Sequence, residues 1–477
     1  MIVNENTAID IFKEMCGIPH GSYNIDAISE YLVEFAKSHN LKYRQDEEKN
    51  VIIWKAATPG YEDREPIMIQ GHMDMVAVKT PECTKDMLTE GLDIVIEDDF
   101  MYAKDTSLGG DDGIAVAYAL ALLESENIAH PALECLFTVN EEVGMEGAFG
   151  IDLSDCKAKW MLNIDSEEEG VITVSCAGGV RVKADMPFER TGNNTKYTYE
   201  IMLTGLRGGH SGTTIHEGKA NADIEMAKAI LMLGSVGDIY LCSIDGGEKD
   251  NAIPNIAKAV IATNIEPEAA LDYISQIEKS IKEQYANIEN NVSLQISLLT
   301  EDENSKYKPM DKDTSDKLLE LLAFVPNGVL AMCEGIDLVE TSSNLGILRT
   351  EENRIHMEYL IRSNINSKKN ETRIMLTELL ERYNCSIELE GDYPGWDLKP
   401  DSTLTKHCVN VYRKLYDKEP VVMGVHAGLE CGIILDKRPD MECVSIGPNI
   451  LNIHSTTEKL DLKSTKRVWE YILELLK

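Results

Sequence analysis

The chain's 477 residues exceed what one ordinary hydrophobic core fills, so two domains, or one domain with a large insertion, are expected, and its 43% hydrophobic residues suffice to pack them. With 46 basic against 82 acidic residues the formal net charge is -36, which repels nucleic-acid phosphates and anionic membrane surfaces alike. No run of about 18 apolar residues occurs and the first ten residues are polar and acidic, so neither a membrane span nor a signal peptide is expected. Eleven cysteines, an odd number without C-x-x-C spacing, argue against a disulfide framework or a zinc ribbon and fit a reducing cytoplasm.

In chain order, Thr7–Met15 reads as a helix capped by Thr7, with Ile9, Ile11, Phe12 and Met15 on its apolar stripe, and residues 24–38 read as a second helix. Strands are expected at 41–45 and 51–54. The next apolar run, from Ile67, ends by presenting His72 and Asp74, which at strand period share one side. A metal-ligating histidine needs an acceptor on its second ring nitrogen, and the Asp74 carboxylate is placed for that. Alone, a His-x-Asp is more often a core edge and a turn than a site.

Residues 92–96 read as a strand, and Leu108-Gly109-Gly110-Asp111-Asp112-Gly113 leads into an Ala-rich helix over 114–123. A helix N-cap carboxylate, worth about 1 kcal/mol, accounts for Asp112 and leaves Asp111 over. The strand at 133–140 ends in Glu141 and Glu142, adjacent carboxylates that repel each other unless a cation is near. A strand at 160–164 ends at Asp165, and 171–175 follows. From Arg181 to about Pro394 strands alternate with long charged helices and no such acidic strand end recurs, so this part reads as an inserted α+β domain built from two similar sets of elements. After Trp396 come a helix at Thr403–Tyr416, strands at 420–424 and 441–446, and a last helix from Thr457 with His454 in the loop before it. The expected domains are 1–180 with 396–477, and 181–395. His72, Asp111, Glu141, Glu142, Asp165 and His454 share the same loop-tip setting, and together they form a two-metal ligand set.

Six motifs in order resemble the M20 metallopeptidases, most closely the aminoacyl-histidine dipeptidase branch: QGHMDMV at 70–76, SLGGDDGI at 107–114, NEEVGMEGA at 140–148, NIDSEE at 163–168, RGGHSG at 207–212 and HAGLECG at 426–432. The resemblance covers nearly the whole chain. It implies an α/β, zinc-peptidase-like catalytic domain with a mixed sheet flanked by helices, plus an inserted α+β lid domain. It also implies two divalent metal ions, zinc with cobalt or manganese as alternatives. Asp111 would bridge them, His72 and Asp165 would complete one site, and Glu142 and His454 the other. Asp74 would support His72 and Glu141 would be the general base. The family more often has Ala-Asp-Asn-Gly where this chain has Gly110-Asp111-Asp112-Gly113, so Asp112 adds a negative charge beside the bridge.

The same resemblance sets His210, Asn251 and Arg362 on the substrate, the arginine as a planar fork for its carboxylate. Glu430 is set against the substrate's free amine on charge grounds, and His426 stays open. The expected activity is hydrolysis of dipeptides, Xaa-His and broader. A tripeptidase, carboxypeptidase or amide deacylase would carry the same metal site. An inactive binding protein of this fold is disfavoured because Glu141 and all five ligands are present. The expected partners are a dipeptide substrate and neither nucleic acid nor membrane; a homodimer stays an open alternative.

Overall fold

Apolar runs from both ends of the chain become the strands of one mixed eight-stranded sheet. Its order is Lys42–Gln45, Val51–Lys55, Leu133–Thr138, Ile67–His72, Trp160–Asn163, Glu442–Ser445, Val171–Cys176, Val421–Val425. Leu133–Thr138 and Trp160–Asn163 both run parallel to Ile67–His72, and Glu442–Ser445 runs parallel to Trp160–Asn163. Lys42–Gln45 with Val51–Lys55, Val51–Lys55 with Leu133–Thr138, and Glu442–Ser445 with Val171–Cys176 pair antiparallel. Ile67–His72 and Leu133–Thr138 are buried throughout, as parallel strands covered on both faces must be, which is why they read as unbroken apolar runs.

The computed structural model describes residues 2–4, 6–304 and 306–477. These fall into two compact units, one of 1–176, 398–424 and 429–477, the other of 177–397 and 425–428. In the first unit the Ala-rich helix Gly110–Glu124 is buried from Gly110 to Leu123. Thr7–Met15 packs on it through Phe12, and a Cβ on Gly113 would lie 2.8 Å from the Phe12 ring, so a glycine is what lets these helices meet. Burying Phe12 and Met15 fully contributes about 1.5–3 kcal/mol each.

The second unit is built on a nine-stranded sheet whose pairings are antiparallel. Pro267–Gln284 buries Ala270, Ile274, Ile277 and Ile281 at helical spacing and leaves its charged face to solvent. Ala222–Leu233 begins where the Asn221 side chain accepts from the N–H groups of Asp223 and Ile224, and Lys312–Phe324 where Asp311 accepts from Thr314. Alternate residues of Gly178–Pro187 and Ile239–Gly246 enter the same core as these helices.

Two local expectations are corrected. The last helix is Leu462–Leu475, because Asp461 is its cap, accepting from Lys463 and Ser464; residues 455–461 form a turn and the strand Lys459–Asp461 instead. Thr7 does not cap the first helix; Asn6 holds the cap position, and Thr7 Oγ1 accepts from the Asn4 N–H. Among the described residues no helix is long and apolar enough to cross a membrane.

Candidate metal centre

Three parallel strands of the first unit end side by side, and a crevice beyond the carboxyl ends of such strands is where α/β proteins bind ligands. His72 is the last residue of Ile67–His72. Glu141 and Glu142 open the short helical turn after Leu133–Thr138, entered through Asn140 at φ 54, a left-handed conformation that asparagine tolerates. Asp165 lies just beyond Trp160–Asn163. Asp111 comes from the start of Gly110–Glu124, where Asp111 and Asp112 depart from helical geometry and the peptide between them is cis. His454 arrives from the far end of the chain on a loop residue with φ 58.

Asp111 faces both imidazoles: its Oδ1 lies 3.2 Å from Nε2 of His72 and its Oδ2 lies 3.1 Å from Nε2 of His454. Asp165 Oδ1 is 3.5 Å from the same His72 nitrogen, and Glu142 Oε1 is 2.8 Å from that of His454. Three groups of side chains here could hold a metal ion, each with its ligand atoms within 4.8 Å of one another: His72 with Glu141 and Glu142, His72 with Asp112 and Asp165, and Asp111 with Glu142 and His454. The donor set fits a cation in a further respect. Glu142 Oε1 is buried and approaches His454 without the geometry of a hydrogen bond, the relation of two ligands of one ion.

The surrounding contacts differ from the sequence expectation in two places. The nearest acceptor for Nδ1 of His72 is the backbone carbonyl of Asp74 at 2.9 Å, while its carboxylate is 3.6 Å away. The strand has ended, so Asp74 no longer follows the alternation, and its carboxylate instead accepts from Ser22 Oγ at 2.8 Å and from the Glu141 N–H at 3.1 Å. Asp112 is not an N-cap. It is buried, and its Oδ2 accepts from the backbone N–H of His72 at 3.2 Å.

Buried carboxyl groups outnumber the imidazoles, and their proton affinities record it. Burial, then the charges of Asp165, Glu430 and Glu142, push Glu141 well above the usual carboxylate range against the pull of His72. Asp165 and Asp112 are raised too, by burial and by their neighbouring carboxylates. Burial works against a proton on His72, but the carboxylates of Asp111, Asp165 and Asp74 around it prevail and raise it. Asp111 and Glu142 push His454 up to about 10. Such a cavity holds either protons or cations.

The expected substrate residues lie in the second unit. His210 sits on the short ladder Gly209–His210 with Ala252–Ile253, and its Nδ1 accepts from the N–H groups of Gly212 and Thr213 at 3.2 and 3.0 Å, leaving Nε2 to carry the proton. Asn251 holds this loop through its backbone carbonyl, which accepts from Ser211 at 2.8 Å. Arg362 is 5% exposed and donates to Tyr393 Oη at 3.0 Å, and its Nε is buried without a hydrogen-bond partner among the described residues. Its charge reaches both His210 and His426: burial first and Arg362 second hold His210 below its usual value and His426 at about 3. His426 Nε2 is 2.7 Å from Ser342 Oγ. Glu430, set against the substrate's free amine on charge grounds, opens the helix Glu430–Lys437; it is fully buried, and its Oε2 accepts from Gln70 Nε2 and Thr138 Oγ1, both at 2.6 Å.

Residues 68–477 match the peptidase family M20/M25/M40. The chain belongs to this family. It is therefore an enzyme, a peptidase that hydrolyses peptide bonds. It is 36% identical over 473 residues, 98% of this chain and 96% of the relative, to the cytosol non-specific dipeptidase of Escherichia coli (strain K12). The crystal structure of aminoacylhistidine dipeptidase from Vibrio alginolyticus superposes with a TM-score of 0.93 at 33% identity, covering 99% of this chain and 98% of that one. A tripeptidase from Staphylococcus aureus is similar in fold alone, with a TM-score of 0.58 at 17% identity over 100% of this chain and 99% of that one.

Proposed function

We propose that this M20 peptidase is a cytoplasmic dipeptidase that binds two divalent ions, zinc above cobalt or manganese, and cleaves Xaa-His and other dipeptides. The observation that carries the reading is 36% identity to a non-specific dipeptidase along nearly the whole of both chains. The two facing oxygens of Asp111 support it as the bridging ligand, with His72 and Asp165 on one side and Glu142 and His454 on the other. Eleven unbridged cysteines agree with a reducing compartment.

Held by Asp111, His72, Asp165, Glu142 and His454, two divalent ions would lower the pKa of a bound water and polarise the scissile carbonyl. Glu141 is the residue suited to take that water's proton and return it to the leaving amine, since burial and neighbouring carboxylates raise its affinity for a proton. A ligand serves less well, because coordination depresses its basicity, so adjacent Glu141 and Glu142 divide the work as base and ligand. Asp74 fixes Glu141 through its backbone N–H and His72 through its own carbonyl. In the second unit Arg362 is proposed to read the substrate's carboxylate, with His210 and Asn251 as further substrate-binding residues.

The test is hydrolysis of a panel of Xaa-His dipeptides, other dipeptides, tripeptides and N-acyl amino acids by protein stripped with a chelator and reloaded with zinc, cobalt or manganese. Dipeptide turnover that depends on reloading is expected. Turnover confined to acylated amino acids would replace the dipeptidase with a deacylase.

A further inference from the structure

Four consecutive backbone N–H groups close around one carboxylate that the catalytic scheme does not use. Oε2 of Glu458 accepts from Leu108 at 2.8 Å and Gly109 at 3.0 Å, and its Oε1 accepts from Gly110 at 2.7 Å and, at a longer 3.4 Å, from Asp111. Successive N–H groups turned to one point make an anion-binding nest. Here the anion is the protein's own side chain, about 350 positions further along the chain and 3% exposed. Burial and the nearby Asp111 raise the proton affinity of Glu458 and the N–H groups oppose them. A proton on either oxygen would confront an N–H donor, so the arrangement suits the ionised form.

The loop is shaped for this contact. Gly109 has φ +70, and a Cβ there would lie 2.7 Å from Met75 Sδ; a Cβ on Gly110 would lie 3.2 Å from Glu458 Oε1. The last N–H of the nest is that of Asp111, whose side chain stands between His72 and His454. Glu458 also belongs to the turn that carries His454, closed by its own N–H donating to the Ser455 carbonyl at 3.3 Å. One turn thus delivers His454 to Oδ2 of Asp111 and grips the backbone from which Asp111 projects.

We propose that Glu458 is a positioning residue for the metal centre: by filling the nest at 108–111 it sets the Asp111 carboxylate between His72 and His454 before any ion arrives. This rests on reading Asp111 as the bridging ligand. Because a bridge serves both ions, loosening it weakens both together, whereas loss of a terminal ligand weakens one.

The experiment compares the parent with Glu458→Gln and Glu458→Asp, titrated with zinc alone and with cobalt alone in metal-buffered solution. In Glu458→Gln one oxygen becomes an NH2 facing backbone donors, and affinity for both ions should fall together by about 10- to 100-fold, the scale seen when partners of ligands are removed. Glu458→Asp, one methylene short, should fall between. The visible spectrum of the cobalt-loaded protein should change in Glu458→Gln, a signature that simple loss of stability would not produce. On the metal-free parent, hydrogen exchange should show the amides of 108–111 protected to the level of Ile67–His72; this measurement decides the matter even if the variants fail to fold. Free exchange of those amides, or unchanged zinc affinity and cobalt spectrum with only a lowered Tm, overturns the proposal. Fewer than two ions in the parent would instead overturn the bridging reading beneath it.

Discussion

Asp111 and His454 stand 343 positions apart in the chain, and Oδ2 of the first lies 3.1 Å from Nε2 of the second. An imidazole brought so far to meet a carboxylate, with Glu142 Oε1 2.8 Å away on the same nitrogen, marks one end of the proposed pair of ions. His454→Ala should lower the metal content by about one ion per chain, because a terminal nitrogen ligand is lost and the His72 side is left intact. Elemental analysis after exhaustive dialysis reads this directly. Full occupancy in the variant would end the ligand role of His454.

For Glu141 the expected separation is between metal and turnover. Glu141→Gln keeps the shape and removes the basicity, so turnover should fall at least about a hundredfold while metal content stays near that of the parent. Its carboxylate does lie within reach of a shared ion with His72 and Glu142. Loss of metal from this variant would therefore make Glu141 a ligand and reverse the roles of the pair.

Much of the centre was legible because its residues break apolar runs: one histidine or acid at a strand end is weak evidence, but one buried strand after another ending in such a residue points to chemistry. That logic singled out His72, Glu141, Glu142 and Asp165, whose side chains the structure brings together, while the α/β class came with the family resemblance. It could not find Glu458, whose partners are backbone N–H groups about 350 positions away and leave no side-chain pattern. Nor could it see that Asp74 meets His72 through a carbonyl, since periodicity says nothing about the backbone after a strand ends. In the second unit the strand Val339–Thr350 was hidden by Thr341-Ser342-Ser343-Asn344, polar residues that are each 3% exposed or less and so imitate a loop in sequence. The helix Glu430–Lys437 was hidden by its brevity and its glycine.

Acid should unfasten the helix Thr403–Tyr416 through Glu442. Its Oε2 accepts from the Leu404 N–H at 2.7 Å and Ser402 Oγ at 2.8 Å, with Thr403 Oγ1 at 3.1 Å. Burial alone would raise this carboxyl, but these bonds prevail and hold it below the ordinary glutamate value of 4.5. A folded value below the unfolded one means stability that is fully present above about pH 4.5 and lost as pH falls through the folded value. Glu442→Gln should thus lower the Tm by about 2–4 °C at neutral pH, the shift for about 1 kcal/mol, and the gap to the parent should close below about pH 4.5. Parallel melting curves from about pH 3.5 to 7 test it, and a gap that persists unchanged at the acid end would dismiss the carboxylate as its cause.

Arg362 tests the proposed substrate grip and the preference for free dipeptides together. A dipeptide carries its carboxylate at a fixed distance from the scissile bond, so a guanidinium that receives it can measure length as well as hold charge. The side chain suits that role, since one end donates to Tyr393 Oη at 3.0 Å, it is almost wholly buried, and its Nε has no hydrogen-bond partner among the described residues. Lysine in its place keeps the charge and loses the planar fork. Arg362→Lys should lower kcat/KM for dipeptides by about 1.5–3 kcal/mol, the scale of a charge-assisted bond, without changing metal content. Dipeptide amides lack the carboxylate, so they should be poor substrates for the parent and should lose little more in the variant. The two substrate classes therefore separate recognition from support. Equal losses on acids and amides would mean that Arg362 holds the second unit's structure and does not read the carboxylate.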